Sequence, residues 1–181
     1  MNVINQLSTI LVDDEALARK GLELRLKKYQ EIDVISQCHN GIEAIEAVKV
    51  YQPDLMFLDI KMPELDGFEV VKSIVEQGLK CPMVIFVTAF DEFALKAFEV
   101  HACDYLLKPI DDDRLACAIK KVEAKINNDR NARDKQKLLQ VVSQFTGNDF
   151  KNILDNLNNN KSLNASQYAE ILPIKDAGKL T

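Results

Sequence analysis

The 181 residues include only 6 Gly and 5 Pro, which excludes a collagen-like chain. At 47% hydrophobic and 28% charged, the composition also excludes a wholly disordered one. The four cysteines, Cys38, Cys81, Cys103 and Cys117, are widely spaced and form no C-x-x-C pair. They point to neither a zinc site nor a disulfide framework, and are expected to be small buried apolar groups in a reducing cytosol. No apolar run is long. Met83 to Val87 falls far short of the ~20 residues that span a bilayer. The N-terminus lacks a basic start followed by an apolar stretch, so no secretory signal is read, and the expected location is cytoplasmic with no membrane contact. No repeat of about 20–50 residues is present.

What is there is acidic, and unevenly so. Residues 1–127 carry 15 Lys+Arg against 22 Asp+Glu, whereas residues 128–181 carry 8 against 6. An acidic main domain does not neutralise phosphates, so the residues present give no support for nucleic-acid binding.

Residues 7–127 alternate between strand-like and helix-like segments. Strands are expected over 7–12, 32–36, 54–59, 83–88 and 102–107. Helices are expected over 16–29, with Leu17, Leu22, Leu24 and Leu26 as its apolar residues, over 41–51, with Ile42, Ile45 and Val48 on one stripe, over 67–77, with Phe68, Val71, Ile74 and Val75 inward, over 91–100, and from 111 onward. Pro53 stops the second helix and Gly78 the third. Continuous apolar strands separated by helices predict an α/β fold, a doubly wound parallel sheet covered on both faces. Ligands of such sheets lie beyond the carboxyl ends of the strands. The spacing of Leu115, Ile119, Val122 and Ile126 makes a heptad-like seam, which either packs on the sheet or pairs with a second copy. The polar run 127–137 interrupts it. Beyond it, an Asn-rich stretch over 148–167 cannot bury a core of its own, and residues 169–174 read as an isolated strand.

The polar residues gather at the strand ends. Asp13 and Asp14 follow the first strand, Asp59 the third, Thr88 the fourth and Lys108 the fifth. Taken singly, each has a plain reading as a cap, a turn residue or a solvated charge. Together, three carboxylates in one crevice demand a cation. Oxygen-only ligands suit Mg²⁺, and Lys108 and the Thr88 hydroxyl complete a place where a phosphoryl group could sit on an aspartate.

The segments Ile10-Leu-Val-Asp-Asp-Glu15, Phe57-Leu-Asp-Ile-Lys-Met-Pro-Glu-Leu-Asp-Gly67, Val87-Thr-Ala89 and Asp104-Tyr-Leu-Leu-Lys-Pro109 resemble the receiver domain of two-component response regulators. The run from Phe86 to Pro109 further resembles the LytTR-type (LytR/AlgR) subgroup, and Tyr168 to Gly178 resembles the first strand of its DNA-binding output domain. The resemblance implies a flavodoxin-like receiver with strand order 2-1-3-4-5 over residues 7–127, and a partly helical or flexible linker over 128–168. It also implies the start of an incomplete LytTR-type domain over 169–181. Asp59 would then be the phosphoacceptor for a sensor histidine kinase. Asp13, Asp14, Asp59 and the backbone carbonyl of Lys61 would hold Mg²⁺. Thr88 and Lys108 would bind the phosphoryl group, Tyr105 would be the aromatic switch, and the small Ala89 would leave the pocket accessible. Pro109 would follow a cis peptide bond. Tyr105 also has the simpler reading of a core aromatic. The implied device is a phosphoacceptor switch with Mg-dependent self-catalysed phosphotransfer and slow autodephosphorylation, not an enzyme with a separate substrate. Phosphorylation would drive homodimerisation through the fourth helix, fifth strand and fifth helix, and DNA would be bound only through the missing output domain.

Three alternatives compete. A haloacid-dehalogenase-like phosphatase also uses Asp, a hydroxyl, Lys and Mg²⁺, but needs a D-x-D nucleophile motif at the first strand. A flavodoxin-like cofactor binder needs a phosphate-cradling loop where Asp13-Asp14-Glu15 would repel the phosphate. A stand-alone receiver is disfavoured by the linker and the terminal strand.

Overall fold

The computed structural model of the chain describes residues 6–146, with side chains as far as residue 140. The described residues divide into two units between Ile126 and Asn127. The first unit holds β1 (Leu7–Val12), α1 (Ala16–Leu26), β2 (Ile32–Cys38), α2 (Gly41–Tyr51), β3 (Leu55–Leu58), α3 (Gly67–Glu76), β4 (Met83–Thr88), α4 (Ala94–Glu99) and β5 (Asp104–Leu107). The last helix, α5 (Asp112–Thr146), begins in it. All strand pairs are parallel and the sheet order is β2-β1-β3-β4-β5, the doubly wound arrangement expected.

Strand alternation builds two cores, one on each face of the sheet. Ile10, Val12, Met56, Leu58, Val84 and Phe86 face α2 and α3, meeting Ala44, Val48, Phe68 and Ile74. Leu7, Leu11, Leu55, Phe57, Ile85 and Val87 face the other way, onto Leu22 and Leu26 of α1 and Leu115, Ile119 and Val122 of α5. Each large apolar side chain so buried contributes roughly 1.5–3 kcal/mol, which is why β3 reads as an unbroken Leu-Met-Phe-Leu. The α5 seam is thereby settled: Leu115, Ile119 and Val122 are spent on the sheet, with Ile126 packed at their edge.

Helix ends follow their local chemistry. Asn40 accepts from the Glu43 N–H at 2.8 Å to start α2. Asp66 and Glu69 exchange two 2.8 Å bonds in a capping box that starts α3. At the end of α3, Gly78 takes φ +67° while its N–H reaches the Val75 carbonyl and that of Leu79 reaches Ile74, a Schellman stop.

Several expectations need correction. Helix α1 ends at Leu26, not Tyr29, because the chain tightens there: Lys28 donates to Arg25 and Tyr29 to Leu26, three residues back. Its Leu17 is 86% exposed and Leu24 is exposed, while the charged Arg19 is buried. Likewise Ile42 of α2 and Val75 of α3 face solvent. Strand β2 runs on to Cys38, and its polar Ser36 and Gln37 are tolerated because β2 is an edge strand. Helix α4 starts at Ala94 rather than Asp91. The polar run 127–137 interrupts the apolar seam without breaking the helix, since Ala, Arg, Lys and Gln are sound helix formers. Of the four cysteines only Cys38 is buried; Cys103 is half-buried, and Cys81 and Cys117 are exposed. The expected Asn-rich segment and terminal strand lie outside the described residues. Among the described residues, no helix is long and apolar enough to cross a membrane.

Candidate functional site

The backbone hydrogen bonding of the sheet continues one residue past the strands, and that extension aligns the polar groups. The Asp13 N–H donates to the Cys38 carbonyl at 3.2 Å, Asp59 to Val12 at 2.9 Å, and Lys108 to Thr88 at 2.9 Å. Five expected side chains are thus brought to one edge. One carboxylate oxygen from each of Asp13, Asp14 and Asp59 lies within 4.8 Å of the others. Asp13 and Asp59 are 7% and 5% exposed, whereas Asp14 is exposed. Such a cluster of hard oxygen donors fits Mg²⁺, which retains waters on its remaining positions.

Lys108 closes the cluster. Its Nζ donates to Asp13 Oδ2 at 2.6 Å and more weakly to Asp59 Oδ2 at 3.4 Å. Burial works against the charged ammonium, but the Asp13 hydrogen bond and the Asp59 charge outweigh it, and the Lys108 pKa is raised. At Asp59 burial dominates and lifts the carboxyl above the usual carboxylate range. The Lys108 charge opposes this lift and the Asp13 charge adds to it. Thr88 lies close enough to favour the charged Asp59 weakly, yet its fully buried Oγ1 makes no hydrogen bond of ordinary geometry. A buried hydroxyl left unmatched beside a carboxylate is a donor waiting for an acceptor.

The remaining expected residues flank this centre. Ala89 is exposed. The Lys108–Pro109 peptide is cis. Tyr105 is half-buried against the α2/α3 face of the core, and its hydroxyl donates to the backbone carbonyl of Phe90 in the β4–α4 loop. Its polar end is tied to the segment that follows Thr88.

Gly67 is required for clearance and not for conformational freedom. Its backbone has no positive φ; instead a Cβ there would lie 2.5 Å from the Asp59 carbonyl oxygen. The first turn of α3 is pressed against the backbone of Asp59.

Two groups were missed from sequence. Arg19 is 7% exposed and its Nη1 donates to the Asp13 carbonyl at 2.6 Å, which anchors the β1–α1 loop. The signal was present, because Arg19, Leu22 and Leu26 share one helical stripe. The second is the Lys61 side chain, whose Nζ lies 5.0 Å from the Phe93 ring centroid and 5.8 Å from that of Phe90.

The family model for the response regulator receiver domain matches residues 9–120. An uncharacterised response regulatory protein of Vibrio cholerae is 41% identical over 145 residues, covering 79% of this chain and 54% of the relative. The transcriptional regulatory protein BtsR of Escherichia coli is 43% identical over 128 residues, covering 71% of this chain and 51% of BtsR. The chain thus spans about half the length of these relatives. Among solved structures, the response regulatory domain of mrkE from Klebsiella pneumoniae superposes with a TM-score of 0.62 at 30% identity, covering 67% of this chain and 99% of that domain.

Proposed function

From the premise that this chain belongs to the response regulator receiver domain family, we propose that Asp59 accepts a phosphoryl group from the phosphohistidine of a sensor histidine kinase and thereby switches the domain. The observation that carries this is the convergence of Asp13, Asp14 and Asp59 on one point, with Lys108 bridging two of them.

An Asp59 carboxylate oxygen forms the new O–P bond as the P–N bond of the phosphoimidazole breaks. The imidazole nitrogen leaves with the electron pair. Lys108 is placed to leave Asp13 for the new phosphoryl oxygens, and the unmatched Thr88 hydroxyl to donate to them. Asp13, Asp14, Asp59 and the Lys61 carbonyl would hold Mg²⁺, which when bound neutralises charge on the transferring oxygens. Movement of Thr88 is transmitted through Phe90 to Tyr105, whose hydroxyl holds the Phe90 carbonyl. The domain acts as a switch rather than as an enzyme with its own substrate, losing the phosphoryl group slowly to water.

The output reading is transcriptional. Residues 7–127 form the receiver, 128–168 a linker, and 169–181 resemble the start of a LytTR-type DNA-binding domain. The BtsR relative is by name a transcriptional regulator. Phosphorylation favours a homodimer through α4, β5 and α5. In these elements Leu95 and Phe98 of α4 are 81% and 82% exposed, and Leu107 of β5 is exposed as well. The location is cytoplasmic, where the kinase partner presents its phosphohistidine.

The test is labelling with acetyl phosphate, or binding of beryllofluoride, in the presence of Mg²⁺. Modification of Asp59 that is lost in Asp59→Asn is the expected result. If neither reagent marks Asp59, and Asp59→Asn behaves as wild type, the switch reading is wrong.

A further inference from the structure

Lys61 stands two residues beyond Asp59, in the β3–α3 loop, yet its side chain lies over rings that belong to the adjacent β4–α4 loop. The Phe90 and Phe93 rings meet edge to face, with centroids 6.1 Å apart, and the ammonium sits over both. Phe93 continues inward to Phe68, at 6.1 Å, and Phe68 to the core Phe86, at 5.0 Å. The cation is therefore seated on an aromatic ladder rooted in β4, two residues before Thr88. From the other side, the same loop is held by the Tyr105 hydroxyl on the Phe90 carbonyl. Phe93 is the cap residue of α4: its carbonyl accepts from the Ala97 N–H at 2.9 Å, and its ring is seated on Phe68 and Phe90.

We propose that Lys61 is a latch: its ammonium holds the β4–α4 loop in the resting position through Phe90 and Phe93, and a phosphoryl group on Asp59 draws it away. Phe93 is a positioning residue for this step. The inference rests on Asp59 being the phosphoacceptor. The direction follows from relative strengths. An exposed cation–π contact shifts a two-state population by about two- to fivefold. A charge-assisted bond to a phosphoryl oxygen is stronger and grows with the added negative charge. The flexible four-carbon stem of a lysine two residues from Asp59 allows the exchange without backbone rearrangement. Loss of the latch leaves the loop held by the Tyr105 hydroxyl and by the Phe93–Phe68 ring contact, so phosphorylation removes one of its restraints while β5 keeps its grip.

The experiment is ¹H–¹³C NMR on the full chain with lysine labelled at Cε, with and without beryllofluoride and Mg²⁺. In the resting protein the Lys61 Hε signals, identified by their loss in Lys61→Arg, are expected upfield of the other lysines, shielded by the two rings. Beryllofluoride should return the Lys61 shifts to the range of solvated lysines. Signals that stay shielded while ¹⁹F resonances report bound beryllofluoride overturn the latch. Failure to bind beryllofluoride at all overturns the phosphoacceptor reading, and the latch falls with it. Independently, Phe93→Leu should raise the apparent affinity for beryllofluoride about two- to fivefold, because the resting state loses a contact that the active state lacks. An unchanged or weaker affinity counts against the proposal.

Discussion

Lys108 is bound to Asp13 at 2.6 Å and to Asp59 at only 3.4 Å. The half-buried ammonium is thus held by a carboxylate of the metal cluster in preference to the group it is proposed to serve. Lysine and metal ion draw on the same oxygen donors.

Lys108→Met is expected to tighten Mg²⁺ binding by about tenfold, since one charge-assisted hydrogen bond of roughly 1.5–3 kcal/mol no longer competes for Asp13. The same substitution should weaken beryllofluoride binding, because a phosphoryl-like oxygen loses its cation. Isothermal titration with Mg²⁺, then with beryllofluoride, separates the two effects. A Lys108→Met protein that binds Mg²⁺ more weakly would refute the competition.

Asp59→Asn should stabilise the metal-free domain by about 1 kcal/mol, within the range found when strained functional residues are relaxed. Burial holds the Asp59 carboxyl above its usual range, so its charged form opposes folding at neutral pH. A neutral isostere removes that cost. The melting temperature in EDTA should rise by a few degrees, and a fall would contradict the account.

Gly67→Ala should be destabilising although alanine suits a helix. Its Cβ would lie 2.5 Å from the Asp59 carbonyl oxygen and 3.1 Å from the Ile60 Cα, both backbone atoms that cannot turn aside. The expected loss is about 1–3 kcal/mol, with weaker beryllofluoride binding because Asp59 itself is pushed. Urea unfolding combined with ¹⁹F NMR reads both.

Asp104 gives a pH signature away from the acidic cluster. Burial alone would raise its pKa, but Lys121 and the Tyr105 N–H, with Arg114, lower it. A carboxyl depressed on folding stabilises above its unfolded value, about 3.9, and that stabilisation fades as pH falls through the folded value. Both cations are half-exposed, so Asp104→Asn should cost only about 1 kcal/mol at pH 7 and less near pH 3. Equal differences at both pH values would remove the ion pairs from the account.

The cysteines should differ sharply in reactivity. Burial pushes the Cys38 thiol up to about 11, and the residue is enclosed at the end of β2. Iodoacetamide at mild pH should modify exposed Cys117 well before Cys38, which should react only in denaturant. Mass mapping of the labelled peptides decides it.

The sheet was legible because burial on both faces leaves strands without polar interruption, and Leu55 to Leu58 can be little else. The acidic cluster was legible because each carboxylate falls where a parallel strand stops. What escaped was contact between segments remote in sequence. Helix α1 carries leucines toward solvent and an arginine inward because Arg19 finds the Asp13 carbonyl, a partner that spacing alone does not show. The need for a glycine at 67 is a matter of clearance from the Asp59 carbonyl, which spacing along the chain does not show. The seat of Lys61 on Phe90 and Phe93 joins two loops that only the sheet order makes neighbours.

The Thr88 hydroxyl is sealed from solvent and has no hydrogen-bond partner among the described residues. An acceptor arriving at Asp59 would meet a donor already stripped of water, so the new bond would form without the dehydration step that a surface serine or threonine must undergo. Thr88→Ser keeps that donor but loses the methyl group that helps shut water out. On this view the dryness of the hydroxyl, as much as its presence, sets how firmly the active state is held, and replacements should be ranked by how well they exclude solvent as well as by whether they can donate.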